Sequence, residues 1–192
     1  MSILDIKTYP AQVLKAVAKS VKEITPKLVK LTDDMLETMY VAPGIGLAAP
    51  QVGQSLRIIV LDVRVLDESG QLDETVMTEL ERNIKFPLRL FNPVITKKIG
   101  KTSFEEGCLS VPGFTEMVER FEYVEFTALD VFGKSANFKT DGLLAVCIQH
   151  EIDHLDGKLF IDRISTVKRG LIKSKIRKHG YQPPDELKQH NL

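Results

Sequence analysis

The spacing of apolar residues predicts a helix near the amino terminus. Thr25-Pro26 is typical of a helix N-cap followed by proline at the first helical position, and Pro43-Gly44 ends the periodic stretch. The apolar residues that recur between these signals at intervals of three and four are Leu28, Leu31, Met35 and Met39. This spacing places them on one helical face, directed toward a core.

The middle of the chain is predicted to be mostly β-structure. Residues 44–53 are interpreted as a glycine-punctuated loop, and the apolar run at 56–62 predicts a buried strand. Residues 64–87 are polar and acidic, so we expect a surface insertion between strands. Further strands are expected near 88–95, 118–132 and 135–139.

Two more helices are predicted toward the carboxyl end. Asp141-Gly142 opens the first and Gly157 closes it. A basic helix begins near Ser165 and is ended by Gly180 and Pro183-Pro184. Strands that precede a central helix, with helices at both ends, indicate a single α+β domain with antiparallel or mixed β-sheets around that central helix.

Composition narrows the class of protein. The chain of 192 residues is 43% hydrophobic and 27% charged, as in an ordinary globular domain. Its 26 basic residues balance 26 acidic ones, so no net charge favours nucleic acid or a membrane. Two cysteines are too few for a disulfide scaffold. Since the start lacks a secretion signal and no apolar run reaches membrane-spanning length, we expect a cytoplasmic enzyme.

The candidate chemistry lies in the predicted central helix, in Gln149-His-Glu-Ile-Asp-His154. Two histidines four residues apart share one helical face, where both imidazoles can reach one cation. Glu151 between them is positioned for general base catalysis on metal-bound water. A solvated turn that happens to hold two histidines is the weaker explanation, because the chain has only four histidines.

A catalytic site of this type needs a third protein ligand and an open position for water. Downstream, His179, His190 and Glu186 fall in the basic helix end or the polar tail. Upstream, Cys108 lies among glycines that permit close backbone approach. A lone cysteine is more often a small buried hydrophobic residue, but the absence of another good ligand favours Cys108.

Cys147 could instead complete a closed structural site, because it lies on the same helical face as His150. The metal should sit near the midpoint of His150 and His154, about five residues or ~7.5 Å along the helix axis from Cys147. That distance is too long for a cysteine side chain. We therefore place Cys147 in the wall beside the site and leave the fourth position open, which favours catalysis.

Three segments resemble, in order, the signature motifs of the peptide deformylase family: Gly44-Ile-Gly-Leu-Ala-Ala-Pro-Gln-Val-Gly53, Glu106-Gly-Cys-Leu-Ser110 and Gln149-His-Glu-Ile-Asp-His154. The resemblance implies a catalytic domain over residues 1–165, followed by a basic C-terminal helix and polar tail over 166–192. It also implies hydrolysis of the N-formyl group of N-formylmethionyl nascent peptides, with release of formate.

The resemblance also assigns roles to individual residues. Glu151 is the general base, and the Gln51 side-chain amide and the Leu109 backbone N–H donate to the oxyanion. The metal ligands are Cys108, His150 and His154. The residues that match the peptide-binding backbone or the apolar pocket for the methionine side chain are Ile45, Gly46, Phe104, Gly107, Leu143, Val146 and Cys147.

Two ion pairs could orient the histidine helix, Asp153 with Arg163 and Glu106 with Arg120, although exposed pairs are the commoner outcome.

A thiolate with two imidazoles suits ferrous iron or zinc. The family resemblance implies Fe²⁺ as the native metal, with Zn²⁺, Ni²⁺ or Co²⁺ as substitutes, and a contact between the basic C-terminal helix and the ribosome.

Two alternatives stay open at this point. A zinc-dependent endopeptidase shares the HExxH motif, but its third ligand is expected downstream on a well-formed helix. A non-catalytic structural zinc module could dock on the ribosome through the basic helix, which holds seven Lys and Arg residues between 163 and 178.

Overall fold

The computed structural model describes residues 2–65 and 69–181, and the elements below belong to these ranges. The four α-helices are α1 (Pro26–Val41), α2 (Glu79–Arg82), α3 (Gly142–Leu155) and α4 (Thr166–His179). The seven strands are β1 (Gly46–Ala48), β2 (Ile58–Leu61), β3 (Leu88–Ile99), β4 (Thr102–Gly107), β5 (Thr115–Arg120), β6 (Tyr123–Leu129) and β7 (Ser135–Thr140). The strands form two sheets, and the helices are separate from them. This arrangement confirms the α+β prediction.

The strands form two antiparallel sheets. Five of them lie in the order β1-β2-β3-β6-β7, and β4 pairs only with β5 in the second sheet. All of these strand pairs are antiparallel, and antiparallel neighbours such as β6 and β7 can be joined by a short turn. The cleft described below lies where β1 of the larger sheet approaches β4 of the smaller one.

Strand β2 is covered on both faces, which explains its continuous apolar sequence. Ile58 and Val60 pack in a cluster with Met35 and Met39 of α1. Ile59 and its neighbour Leu61 face the other way, into a cluster with α3. Because successive side chains of a strand point to opposite faces, one four-residue strand separates the two helices. Helix α3 is thereby buried along most of its length.

The C-terminal helix is fixed to the same body. Ile172 and Ile176 of α4 pack with Val118 of β5 and Val111, which follows the predicted cysteine ligand. The division of the chain at residue 165 stays a prediction. Within the described ranges, no helix is long and apolar enough to cross a membrane.

Several elements differ from the sequence prediction. The prediction of a single strand at 118–132 is wrong, because β5 and β6 are separate strands that belong to different sheets. Strand β4 was missed, because its mainly polar residues lack a run of buried side chains. The loop expected at 44–53 contains β1 and a 3-10 helix, Ala49–Val52.

The insertion at 64–87 is only partly a surface segment. Met77 and Phe86 join the cluster beneath α3, and Glu81 is 2% exposed. Residues 66–68 of this insertion lie outside the described residues. So do Pro183-Pro184, Glu186 and His190, whereas α4 ends at His179, before Gly180, as expected.

Asn92 provides a test of the fold that is separate from the candidate site. It is the only non-glycine residue with positive φ in the described ranges (φ 51). Its Oδ1 accepts from the Val21 N–H and its Nδ2 donates to the Val21 carbonyl, both at 2.8 Å. Asn92→Ala should lower the free energy of unfolding by about 2–4 kcal/mol, since two hydrogen bonds and a tolerated left-handed conformation are lost. Asn92→Gly should cost less, because glycine adopts this conformation freely. Urea denaturation would measure both, and an alanine variant as stable as the glycine variant would contradict the role of the backbone conformation.

Candidate active site

Helix α3 and the residue after β4 bring together three side-chain atoms that could bind a metal ion. His150 and His154 are one turn apart, and their Nε2 atoms lie 3.2 Å from each other. The Cys108 Sγ lies 3.3 Å from the His154 Nε2. Within the described part of the chain, these residues form the one group of three or more His, Cys, Asp or Glu side chains able to hold a metal ion, with ligand atoms within 4.8 Å of one another.

The spacing of these atoms fits a single divalent ion. With metal–nitrogen distances of about 2.0–2.1 Å and tetrahedral angles, two ligand nitrogens lie about 3.3 Å apart, and a sulfur and a nitrogen about 3.5 Å apart. The observed 3.2 Å and 3.3 Å are close to these values. A thiolate and two imidazoles are also the donor set of catalytic zinc sites with three protein ligands.

Cys108 is directed to this position by the turn that follows β4. The Ser110 N–H lies 3.4 Å from the Cys108 Sγ, and the Val111 N–H donates to the Cys108 carbonyl at 2.9 Å. The N-terminal segment crosses this turn, where the Tyr9 N–H donates to the Ser110 carbonyl at 2.8 Å. Cys147 lies apart from the ligand set, with its buried thiol 3.8 Å from the Ile45 carbonyl.

A buried chain of charges fixes His150, one of the two histidines, from behind. Glu106 accepts from His150 Nδ1 at 2.8 Å, and Arg120 bonds both Glu106 oxygens at 2.6 Å and 2.9 Å. The same guanidinium reaches Asp153 at 2.6 Å, and Arg163 also bonds Asp153. The two ion pairs proposed from the sequence are therefore joined into one network by Arg120, which is 4% exposed. A proton on His150 Nδ1 leaves Nε2 free as a ligand atom.

The charges of this network are reflected in its pKa values. Burial alone would raise the pKa of Glu106, but Arg120 and His150 outweigh it and hold that pKa below its usual range. Burial likewise opposes ionisation of Asp153, and its two arginine partners lower its pKa. Burial lowers the pKa of His154, which favours the neutral imidazole that a metal ligand requires.

Glu151 has the opposite environment. Burial, followed by the charges of Glu106 and Asp153, raises the pKa of Glu151 to about 7, although His150 opposes this. Its Oε2 is buried without a hydrogen-bond partner among the described residues. A Cβ at position 46 would lie 2.4 Å from the Glu151 Oε1, so only glycine lets β1 approach this carboxylate.

Gln51 has a defined amide orientation. In the 3-10 helix Ala49–Val52, its Oε1 accepts from the Ala48 N–H at 2.8 Å. The Nε2 therefore points to the other side, 3.2 Å from Ser110 Oγ and 3.6 Å from Cys108 Sγ. Ser110 is fully buried. It belongs to the second motif, but the sequence did not predict its hydrogen bond with Gln51.

A cleft of about 500 Å³ opens over these groups. All residues that the sequence proposed for catalysis or substrate binding line it, and of the three ligands Cys108 and His150 do so. The proposed binding residues found there are Ile45, Gly46, Phe104, Gly107, Leu143, Val146 and Cys147. Pro112 and Phe114 also line the cleft and were missed, although they follow directly on the second motif.

Comparisons with known proteins agree with this arrangement. The family model for polypeptide deformylase matches residues 3–170. The chain is 47% identical to the peptide deformylase of Alkalilimnicola ehrlichii, over 93% of this chain and 91% of that protein. The structure of a peptide deformylase from Legionella pneumophila is 40% identical, covers all of both chains and has a TM-score of 0.79. That of Ehrlichia chaffeensis peptide deformylase in complex with actinonin is 37% identical, with a TM-score of 0.81 over 95% of this chain and 100% of that chain.

The two cysteines should differ in their effect on metal retention. Cys108→Ser should sharply reduce bound metal, because a thiolate ligand is replaced by a weaker donor. Cys147→Ser should leave metal stoichiometry unchanged, because its thiol lies outside the ligand set. Metal analysis of both purified variants makes the comparison, and equal losses would contradict the assignment.

Glu106 and its neighbour Glu105 offer a matched pair on one strand. Glu106→Ala should weaken metal affinity about 10–100-fold, since the carboxylate that orients His150 is lost. Glu105→Ala should not change it, because the Glu105 carboxylate is exposed and bonds Thr115 instead. Competition with a chromogenic chelator measures the affinity. If the two variants lost metal equally, the orienting role of Glu106 would be wrong.

Proposed function

Since the chain belongs to the polypeptide deformylase family and removes the N-formyl group from nascent peptides, we propose that Cys108, His150 and His154 hold the metal on which this hydrolysis depends. The observation that carries the proposal is the convergence of three ligand atoms within 4.8 Å beside the buried, unpartnered oxygen of Glu151. A metal-dependent hydrolase needs both features in one cleft.

A divalent ion held by these residues would supply Lewis acidity, which lowers the pKa of a water molecule and polarises the formyl carbonyl. Glu151 acts as the general base, accepting a proton from the attacking water through its free Oε2. Its pKa of about 7 suits both acceptance and return of a proton near neutral pH. Glu151 then gives the proton to the departing peptide nitrogen, which becomes the free amino terminus.

Negative charge that develops on the formyl oxygen requires hydrogen-bond donors. We assign this role to the Gln51 Nε2 and the Leu109 backbone N–H. The orientation of the Gln51 amide supports the assignment, because the Ala48 N–H occupies its oxygen and leaves its NH₂ directed at Cys108. One such donor is typically worth about 3–4 kcal/mol of transition-state stabilisation.

The cleft would hold the peptide as an added strand against the backbones of Ile45, Gly46 and Gly107. Leu143 and Val146, on one face of α3, line the same cleft and would contact the methionine side chain. The actinonin complex of the Ehrlichia chaffeensis relative supports a cleft that takes a peptide-like ligand.

The native metal is proposed to be Fe²⁺, with Zn²⁺, Ni²⁺ or Co²⁺ as substitutes, because a mixed sulfur and nitrogen donor set accepts all of them. We also propose a cytoplasmic location, or an organellar one if the protein is eukaryotic and processed, because the proposed substrate is a nascent chain. Ribosome contact through α4 is a further proposal. It is supported by Lys175, Arg177 and Lys178, which make no ion pair with the described residues.

The endopeptidase alternative is not favoured, because the third ligand atom belongs to the upstream Cys108. A structural zinc module is not favoured either, because such a site is closed by four protein ligands, whereas three converge within the described ranges.

Glu151→Ala separates catalysis from structure. The variant should keep its metal, because Glu151 is outside the ligand set, while formate release from formyl-Met-Ala-Ser falls by at least about 10²–10⁴-fold for loss of the general base. Metal content and formate release are measured on the same preparation. Retained activity would exclude Glu151 as the base, and loss of metal together with activity would assign it a structural role.

A further inference from the structure

The first turn of α3 is capped by a side chain from a distant segment. The N-cap residue Asp141 makes no side-chain cap of its own helix. Instead, the Glu81 Oε1 accepts from the Leu144 N–H at 2.7 Å, across 63 residues of sequence. Leu144 is the third helical residue, and its N–H is one of the donors that a helix leaves unpaired at its start. Glu81 therefore does for α3 what an N-cap residue normally does.

The segment that delivers Glu81 is itself ordered by a capping box. The Glu81 Oε2 accepts from the Thr78 N–H at 2.9 Å, and the Glu81 N–H donates to Thr78 Oγ1 at 3.2 Å. Thr78 Oγ1 also donates to Asp141 at 2.5 Å. A Cβ on Gly142, where φ is +60, would lie 2.8 Å from Thr78 Cγ2 and 2.9 Å from both Glu81 carboxylate oxygens. The short helix α2 thus lies directly against the start of α3.

Two backbone N–H groups donate to the buried Glu81 carboxylate. Its side chain is 2% exposed, and it has no salt bridge to a cationic side chain of the described ranges. The hydrogen bonds from backbone N–H groups and the positive end of the α3 dipole compensate its charge. The hydrogen bond from the Leu144 N–H is present only while the first turn of α3 stays in place.

The two ends of α3 are therefore fixed by different groups. Asp153, next to the ligand His154, is held by Arg120. The opposite end carries Leu143 and Val146, which line the cleft, and there Glu81 supplies the side-chain cap.

We propose that Glu81, in the insertion at 64–87, is a positioning residue that sets the wall of the cleft facing the first side chain of the substrate. It acts through Leu143 and Val146 and has no part in the chemical step. The inference rests on the proposed role of these two residues in substrate binding. Without the cap, the first turn of α3 loosens while the ligand turn stays in place, so affinity for a large first side chain falls.

The test compares formyl-Met-Ala-Ser with formyl-Gly-Ala-Ser, whose first residue has no side chain to contact the wall. Glu81→Ala should raise KM about three- to tenfold for the methionine peptide, as expected for the loss of one helix cap. The KM for the glycine peptide, the kcat for both and the metal content should stay within about twofold of wild type. Glu81→Gln keeps one amide oxygen for the Leu144 N–H and should recover most of the affinity.

Glu79→Ala is the matched control, because Glu79 is an exposed carboxylate on the same short helix. It should behave as wild type with both peptides. An equal loss of kcat on both peptides in Glu81→Ala, or an unchanged KM for the methionine peptide, would overturn the proposal.

Leu143→Ala distinguishes failure of this inference from failure of the proposed pocket. If Leu143→Ala raises KM selectively for the methionine peptide and Glu81→Ala does not, the wall is assigned correctly and Glu81 does not position it. If Leu143→Ala affects both peptides equally, the pocket assignment itself fails, and the positioning role of Glu81 fails with it.

Discussion

The buried guanidinium of Arg120 joins the two parts of the chain that carry the proposed metal ligands. It bonds Glu106, two residues before Cys108, and Asp153, one residue before His154. Strand β4 belongs to the two-stranded sheet, whereas α3 packs on the five-stranded sheet, and no strands pair between the two sheets. The relative position of β4 and α3 therefore depends on side-chain contacts of this kind. Removing one partner of a buried ion pair typically costs about 3–5 kcal/mol, because the remaining charge is left uncompensated. Arg120 therefore links the stability of the fold to the geometry of the ligand atoms.

The same network separates the roles of the carboxylates near the site. Glu106 and Asp153 have arginine partners that lower their pKa values, so both stay ionised and structural. Glu151 lies on the same helix as Asp153 and is equally buried, but it has no arginine partner, and its pKa rises to about 7. Environments that push the pKa values of neighbouring carboxylates apart are how one site obtains both a fixed charge and a group that exchanges protons. Glycine at position 46 completes the arrangement, because any side chain there would displace Glu151.

Helical periodicity and local motifs predicted much of this arrangement. The bounds of α1 and α3 followed from proline and glycine signals, and the placement of Cys147 outside the ligand set followed from helix geometry alone. Long-range contacts could not be predicted in the same way. Arg120 was paired with Glu106 but not with Asp153, because only the tertiary fold brings those carboxylates to one guanidinium. Glu81 lies in an acidic stretch that has the composition of a surface loop, so its burial against α3 had no local signal.

The relation between metal occupancy and formate release tests the central claim most directly. Protein purified anaerobically would be depleted of metal, titrated with Fe²⁺, and assayed on formyl-Met-Ala-Ser with bound metal quantified at each step. Activity should rise in proportion to occupancy and reach its maximum at one ion per chain, while Cys108→Ser protein stays inactive at the same added concentration. Formate release by metal-free protein, or full occupancy of the wild-type chain without formate release, would contradict a single catalytic metal at Cys108, His150 and His154.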